Sequence, residues 1–301
     1  MRILISGATG LVGTALSEAL RAEGHEVGQL VRPGGRARTG DVRWDPASGS
    51  VDVAAMEGAD AVICLSGASI AGGRWTPERK KVLRTSRVDA TRVLVDSLGR
   101  MTRKPRVFIG SSAIGYYGNR GDEILTESSA AGNDFLALLA RDWEAEAMRA
   151  EASHIRTVIV RFGVILSTKG GALAKMLTSF RLGAGGRLGS GKQWMSWIAL
   201  EDVVGILRAA IANEAIQGPV NMVAPNPARN AEFTHVLASV LHRPAIFPAP
   251  AFILRVALGE MADALLLSSQ RVQAMHMIAA GYEFKMPDLD SALRNILGGK
   301  S

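Results

Sequence analysis

Three glycines near the start of the chain have a spacing that suits the binding of a dinucleotide. They directly follow a short apolar segment, and an amphipathic segment runs on to residue 23. In such a strand–turn–helix unit the glycines permit a tight turn, a close approach of backbone amides to a pyrophosphate, and close packing of the helix on the strand. The positive end of the helix then faces the phosphates. We expect the cofactor to contact the residues of this turn: Gly7, Thr9, Gly10, Leu11, Val12 and Gly13.

A basic residue follows the second apolar segment, at the position that distinguishes the two nicotinamide cofactors. Residues 26–31 end at Arg32, where an NAD-binding fold usually carries an acidic side chain. An acid about 20 residues past the glycines binds the ribose 2′-hydroxyl, whereas an arginine pairs with a 2′-phosphate. The sequence therefore predicts NADP(H) as the cofactor. Arg36 and Arg38 either assist Arg32 or belong to an ordinary solvated basic loop.

The elements that position these residues alternate along the first half of the chain. Apolar segments that predict strands cover residues 2–6, 26–31, 61–65, 106–110 and 156–161. Helical segments separate them, which predicts an α/β fold with a Rossmann-type, doubly wound parallel sheet. Ligands in such a sheet bind across the carboxyl ends of the strands.

The pattern becomes less regular beyond residue 163, where glycine-rich and proline-rich stretches appear. We therefore predict a dinucleotide-binding core over residues 1–165, to which residues 195–223 return. A smaller C-terminal α/β region over residues 166–301 is expected to face the substrate.

The net charge of +7 over 301 residues is concentrated in one segment. Residues 74–106 contain eleven Lys or Arg and three Asp or Glu, a balance of +8. Interleaved aromatic residues and DNA-binding motifs are absent from this segment, so we expect no nucleic-acid partner. The solvated face of a long helix explains the charge, and an anionic small ligand, such as a nucleotide or a phosphorylated substrate, explains part of it equally well.

Other features predict a cytoplasmic enzyme without a membrane segment. The glycine turn begins almost at Met1, and no long apolar signal segment precedes it. Charged residues interrupt the apolar stretch 251–267, which we interpret as an amphipathic core helix. The single cysteine, Cys64, lies in an apolar segment, which predicts a buried and inert thiol. The histidines show no metal-ligand spacing, so no metal is expected.

Several motifs resemble the epimerase-like, atypical group of short-chain dehydrogenases/reductases. The resemblance rests on SGATGLVG at residues 6–13, LSG at 65–67, RWTP at 74–77 with SRV at 86–88, and SSAIGYYG at 111–118. It extends over the whole chain, because residues 267–272 and 280–289 are similar to the C-terminal domain of that group, about residues 250–298. The resemblance implies an NADP-binding domain and a substrate domain of the nucleotide-sugar epimerase type. It also implies further cofactor contacts at Leu65, Ser66, Gly67, Ser111, Gly163 and Val164.

The resemblance breaks down at the catalytic pair of the wider superfamily. Ordinary members use a Tyr-x-x-x-Lys pair, in which the lysine lowers the pKa of the tyrosine. No lysine occurs between Lys104 and Lys169, the interval that contains the predicted catalytic helix at about residues 133–151. Phe135, Leu136 and Ala140 occupy the neighbourhood of the pair instead. The usual acid/base is therefore lost.

Two residues are candidates for the remaining chemistry. Ser112 follows the strand after which the family carries its catalytic hydroxyl, and we predict that it polarises a substrate carbonyl. Tyr116 is the candidate acid, with Arg120 as its electrostatic helper. Alternatively, Tyr116 and Tyr117 stack over the cofactor or pack the loop.

Two functions from different classes follow. The first is an NADP-dependent oxidoreductase or epimerase-type enzyme acting on a small-molecule substrate that is anionic or nucleotide-linked. The second is a non-catalytic NADP-binding redox sensor or regulatory protein, which has kept the fold and lost the chemistry. By resemblance to its relatives, a homodimer is also expected.

Overall fold

Eight strands form one mostly parallel sheet in the computed structural model, which describes residues 1–298. The strands that belong to this sheet are β1 (Arg2–Ser6), β2 (Glu26–Val31), β3 (Val42–Asp45), β4 (Ser50–Val51), β5 (Ala61–Cys64), β6 (Val107–Ala113), β8 (Arg156–Phe162) and β12 (Gly218–Met222). Six shorter strands pair outside it: β7 (Ile124–Leu125), β9 (Val164–Leu166), β10 (Trp194–Met195), β11 (Trp197–Ala199), β13 (Ala228–Arg229) and β14 (Arg271–Val272).

Twelve α-helices connect or follow these strands within residues 1–298. Their bounds are α1 (Leu11–Ala22), α2 (Val53–Met56), α3 (Pro77–Arg84), α4 (Ala90–Arg100), α5 (Phe135–Met148), α6 (Gly171–Arg181), α7 (Leu200–Ala212), α8 (Asn230–Leu241), α9 (Ala251–Leu258), α10 (Glu260–Ala262), α11 (Met275–Ala279) and α12 (Leu289–Gly298). A π-helical turn, Thr85–Asp89, joins α3 to α4, and a second one, Asp263–Leu267, follows α10. Two 3₁₀ turns, Ile114–Tyr117 and Arg149–Ser153, follow β6 and α5.

The strand order reverses beside β1. The order is β12-β8-β6-β5-β1-β2-β3-β4, and β1 pairs in parallel with both β2 and β5. Connections that leave β1 and β5 therefore diverge at this point, which opens a crevice at the carboxyl ends of the two strands. The predicted Rossmann-type α/β fold is confirmed, and the crevice lies next to the glycine turn that follows β1.

The central strands form because their residues are apolar and are covered on both faces. All four residues of β5 are buried, as a strand in the middle of a parallel sheet requires. Helix α4 packs its apolar stripe, which includes Leu94 and Leu98, into the same core cluster as Phe108 of β6. This core fixes the ends of β1, β5 and β6, where the predicted site residues begin.

Contacts divide the chain into two units that interleave along the sequence. The first unit consists of Met1–Ser112, Leu139–Arg161 and Val204–Val220. The second consists of Ala113–Leu138, Phe162–Val203 and the residues from Asn221 onward. The second unit has its own apolar core, in which Leu177 of α6, Phe233 of α8 and Leu293 of α12 are buried together.

The expectation of a core helix over residues 251–267 is wrong. Helix α9 ends at Leu258, because Gly259 adopts a φ of 64° that breaks the helical path. None of its residues is buried, and Phe252 and Val256 are 66% and 75% exposed. An amphipathic pattern identifies the apolar face of a helix, but it cannot say whether a partner element covers that face. Among residues 1–298, no helix combines the length and the apolar character needed to cross a membrane.

Candidate functional site

The glycine turn, residues 7–13, forms a cradle of backbone atoms. A side chain at Gly7 or Gly13 would occupy this cradle. Gly7 has a φ of 72°, and a Cβ atom there would lie 2.8 Å from the carbonyl carbon of Leu65. At Gly13 a Cβ atom would lie 2.3 Å from the carbonyl oxygen of Gly7. The first position therefore needs glycine for its backbone conformation, and the second needs it for the close approach of α1 to the turn.

The N-terminus of α1 is open to a ligand. Its N-cap residue is Gly10, which has no side chain that could satisfy the first amides of the helix. Thr9 and Gly10 are exposed, and Leu11 and Val12 are partly buried. Exposed amides at the positive end of a helix bind anions, so the residues of this turn fit the pyrophosphate of a dinucleotide.

The loop after β5 lies against this turn. Leu65 donates its backbone N–H to the carbonyl of Ser6 at 3.1 Å, and Ser66 borders the space beside Gly7. Ser111, in β6, donates its hydroxyl to the carbonyl of Cys64 at 2.7 Å. The structure thus brings together the predicted cofactor residues of three strands within the first unit, including Gly67, which is exposed at the end of this loop.

Arg32 is exposed directly after β2. Its backbone carbonyl accepts the N–H of Gly35 at 3.0 Å, and this bond forms a tight turn. The Arg43 side chain stabilises the same turn, because it donates to the Gly35 carbonyl at 2.7 Å. The Arg32 side chain therefore projects from an ordered loop, where a 2′-phosphate is expected in this fold.

Ser112 belongs to a buried ionic network. Its hydroxyl donates to Oε1 of Glu144 at 2.5 Å. Arg161 donates to both oxygens of the same carboxylate, through Nε at 2.9 Å and Nη2 at 2.8 Å. All three side chains are buried in the first unit. A buried charge pair of this kind is stable only when its hydrogen bonds are satisfied, and Ser112 satisfies one of them.

Glu144 is the residue that sequence reasoning missed. It lies in α5, two turns beyond Leu136 and one beyond Ala140, and an acid between Asp142 and Glu146 carries no signal of its own. Its importance comes from its distance to Ser112 and Arg161, which lie 32 and 17 residues away in sequence. The Ser112 hydroxyl already donates its proton to a hydrogen bond with Glu144. To polarise a substrate carbonyl, as predicted, Ser112 would have to give up this hydrogen bond.

Tyr116 and Tyr117 lie in the 3₁₀ turn that follows β6. Their rings meet edge to face, with centroids 5.4 Å apart. Tyr117 is fully buried and donates its hydroxyl to Asn221 at 2.7 Å, so its role is packing. Tyr116 is only partly buried. Arg120, the expected helper of Tyr116, instead pairs with Glu123 through two hydrogen bonds of 2.6 and 2.8 Å.

Gly163 and Val164 lie in the second unit. Gly163 donates its N–H to Met222 at 3.1 Å, and Val164 donates to Ser196 at 2.9 Å. A Cβ atom at residue 163 would lie 2.6 Å from the Ser196 carbonyl, so glycine allows the close approach of these segments. Their predicted contact with the cofactor stays a prediction.

Cys64 is buried in β5, and burial raises the pKa of its thiol. A thiol with a raised pKa carries little thiolate, so the residue is inert, as its apolar surroundings indicated. Among residues 1–298, no three His, Cys, Asp or Glu side chains cluster in a way that could hold a metal ion.

The fold and the glycine cradle define a dinucleotide-binding Rossmann protein. Comparison with known families is more specific, because residues 3–223 match the NAD dependent epimerase/dehydratase family. The chain belongs to that family. Residues 249–296 match a second family, a domain of unknown function designated DUF1731. The identification as an epimerase-like, atypical short-chain dehydrogenase/reductase is confirmed.

Individual relatives match nearly the whole chain. An epimerase family protein of Mycobacterium bovis is 42% identical over 97% of this chain and 96% of its own length. The crystal structure of the human epimerase family protein SDR39U1 with NADPH has a TM-score of 0.91 at 35% identity, with full coverage of both chains. A nucleoside-diphosphate sugar epimerase from Corynebacterium glutamicum has a TM-score of 0.82 at 35% identity, and this chain covers 58% of that protein. The family confirms the prediction of a nicotinamide dinucleotide cofactor.

Proposed function

We propose that this protein is an NADP(H)-dependent oxidoreductase or epimerase-type enzyme that acts on a small anionic substrate. The observation that carries the proposal is the cradle at Gly7 and Gly13, whose open helix N-terminus fits a pyrophosphate. Arg32 at the end of β2 favours the cofactor with a 2′-phosphate. The NADPH in the structure of the human relative supports the same preference.

The chemistry is divided between the cofactor and a few side chains. A bound nicotinamide would accept or supply a hydride. In this proposal Tyr116 holds the proton that the substrate oxygen gains or loses, at its phenolic oxygen. Ser112 acts as a positioning residue, because its own proton is engaged by Glu144. The nucleoside-diphosphate sugar epimerase among the relatives supports a substrate that carries phosphate.

A second candidate function rests on the same network. The helix α5 carries Leu136 and Ala140 where the superfamily's acid/base pair is expected, and the Ser112 hydroxyl is engaged in the interior. A non-catalytic, NADP-binding sensor needs neither group. The two functions therefore differ in turnover and share the binding of NADPH.

Titration of the full chain with NADPH and with NADH tests the cofactor binding that the two functions share. Quenching of tryptophan fluorescence should report tight binding of NADPH and weaker binding of NADH. Absence of binding for both cofactors would reject both functions. NADPH oxidation is then followed with a panel of carbonyl compounds and nucleotide sugars, and binding without any turnover would favour the sensor.

A further inference from the structure

Two arginines approach the loop that follows β5 within the first unit. Arg79 lies in α3, and Arg87 lies in the π-helical turn that joins α3 to α4. Both guanidinium groups donate to backbone carbonyls of residues 68 and 69, close to the predicted cofactor loop. Interruptions of an α-helix by a π-turn occur frequently at functional sites.

Arg87 has most of its hydrogen-bonding capacity unused. It donates to the carbonyls of Leu83 at 3.2 Å and Ala68 at 2.9 Å, and its guanidinium lies 5.4 Å from the centre of the Trp143 ring. A guanidinium has five N–H donors, so three remain after these two bonds. Among the residues that the structure describes, no carboxylate pairs with Arg87. Burial, with a smaller contribution from the charge of Arg79, lowers the pKa of Arg87 to about 10.

Arg79 has an unsatisfied donor as well. Its Nη2 donates to the carbonyl of Ser69, while its Nε is buried and lacks a hydrogen-bond partner in the described part of the chain. A buried polar group without a partner costs free energy, and in a native fold a bound ion is one explanation for such a group. The donors of Arg79 and Arg87 thus lie beside one exposed loop.

Two neighbouring arginines, in contrast, have acidic partners. Arg84 pairs with Asp142 at 2.5 Å, and Arg92 pairs with Glu146 at 2.7 Å. Arg79 and Arg87 donate instead to backbone carbonyls of the β5 loop, and burial together with the charge of Arg79 lowers the pKa of Arg87. Such an arrangement is stabilised by an external anion.

Two glycines let this loop lie directly against the guanidinium groups. A Cβ atom at Gly67 would lie 3.2 Å from Cζ of Arg87, and one at Gly72 would lie 2.8 Å from Nη2 of Arg79. Glycine at these two positions therefore permits the close approach of loop backbone and guanidinium. Gly67, Ser69 and Gly72 are exposed, so an anion can approach from solvent.

We propose that Arg79 and Arg87 bind a phosphate group of the substrate. Planar guanidinium groups recognise phosphate through paired N–H donors, and two of them match its charge of nearly −2. The inference rests on the proposed function in one respect: the phosphates of the cofactor are assigned to the N-terminus of α1 and to Arg32. These two arginines therefore remain for a phosphate that the substrate brings.

Calorimetric titration with inorganic pyrophosphate tests this site in the full chain saturated with NADPH. We expect Arg79→Gln and Arg87→Lys each to weaken pyrophosphate binding at least tenfold and to leave NADPH affinity within twofold. Lys81→Gln is the matched control, because it removes an exposed charge from the same helix. It should change neither affinity. Succinate, a dianion that offers carboxylates in place of phosphates, should bind more weakly than pyrophosphate.

Other results would overturn the proposal. If NADPH displaces pyrophosphate, or if Arg79→Gln weakens NADPH, the two arginines belong to the cofactor site. If the wild type does not bind pyrophosphate, or if both variants bind it normally, they only brace the loop. Should Arg87→Lys fail to fold, Arg79→Gln decides alone. A protein that binds pyrophosphate and ignores NADPH would sink the proposed function and leave this site standing.

Discussion

In the proposed function, the preference for NADPH and the transfer of a proton each depend on a single side chain. Arg32 is exposed and lies beside an ordered turn, so its charge is available to a ligand. Tyr116 is partly buried, whereas Tyr117 next to it is locked into the interior. Ser112 donates a hydrogen bond to Glu144 in the core. Each of these assignments can be tested by one substitution.

Arg32→Ala should weaken NADPH binding by about 1.5 to 3 kcal/mol, the contribution of hydrogen bonds to a charged group. This corresponds to roughly a 10- to 150-fold increase in Kd. NADH lacks the 2′-phosphate and should bind equally well to both proteins. Fluorescence titration measures the two affinities, and equal losses for both cofactors would contradict the assignment.

Tyr116→Phe should abolish turnover and leave NADPH affinity unchanged, because it removes only the phenolic hydroxyl. Tyr117→Phe serves as the matched control for fold stability, since it removes the hydrogen bond to Asn221. Steady-state kinetics on any substrate found in the panel, together with cofactor titration, measures both effects. Full activity in Tyr116→Phe would exclude it as the acid.

Glu144→Gln should lower the free energy of unfolding by about 3 to 5 kcal/mol, because it leaves the buried Arg161 without its counter-charge. Glu146→Gln, two residues further along the same helix, removes ion pairs to the exposed Arg92 and Arg149. We expect it to cost less than about 1 kcal/mol. Urea unfolding followed by circular dichroism compares the two, and similar costs would argue against a special role for the buried network.

At the scale of elements, the turn between β1 and α1 is the predicted binding site for the pyrophosphate of the cofactor. Strand, turn and helix are consecutive, and their geometry depends on close backbone approach at Gly13. The loop after β5 completes the cradle from the other side of β1. Gly99 in α4 and Gly298 in α12 have no comparable neighbours.

Gly13→Ala should therefore destabilise the fold by roughly 1 to 3 kcal/mol and weaken NADPH binding, because α1 must move away from Gly7. Gly99→Ala is the contrasting variant within α4. Its new methyl group would meet only the hydroxyl of Ser153, at 3.3 Å, and the exposed position should gain about 0.5 to 1 kcal/mol. Denaturant unfolding and NADPH titration of both variants test this contrast. Normal cofactor binding by Gly13→Ala would show that the close approach is dispensable.

For the whole molecule, the two interleaved units have different expected roles. The first contains the cradle, Arg32 and the two arginines of the proposed phosphate site. The second contains Tyr116, Gly163 and Val164, and it exposes the apolar residues of α9. The predicted homodimer and the predicted substrate-facing role of the C-terminal region remain predictions.

NADPH at 100 times its Kd should stabilise the protein by about 2.7 kcal/mol through its preference for the folded state. Hydrogen exchange followed by mass spectrometry locates the effect. We expect slower exchange at residues 7–13 and 65–67, and no change in residues 251–258, which lie outside the predicted site. Slower exchange at residues 163–164 would support their contact with the cofactor. If NADPH leaves the exchange rates of the glycine turn unchanged, the proposed binding site is contradicted.

The sequence alone determined the features that depend on consecutive residues. The glycine turn, the strands at residues 2–6 and 26–31, and the position of Arg32 were predictable because strand, turn and helix geometry are local. Motifs distributed along the whole chain also identified the family. The two π-turns, Thr85–Asp89 and Asp263–Leu267, carried no recognisable sequence pattern.

Only the tertiary structure decided which distant residues meet. Glu144, Arg161 and Ser112 are separated along the chain, and their network exists because α5 packs beside β6 and β8. The same applies to Arg87, which reaches a carbonyl 19 residues away. Helix α9 looked like a core element, yet its apolar face lies in solvent. Periodicity encodes which face of a helix is apolar, whereas contact between elements depends on how the whole chain packs.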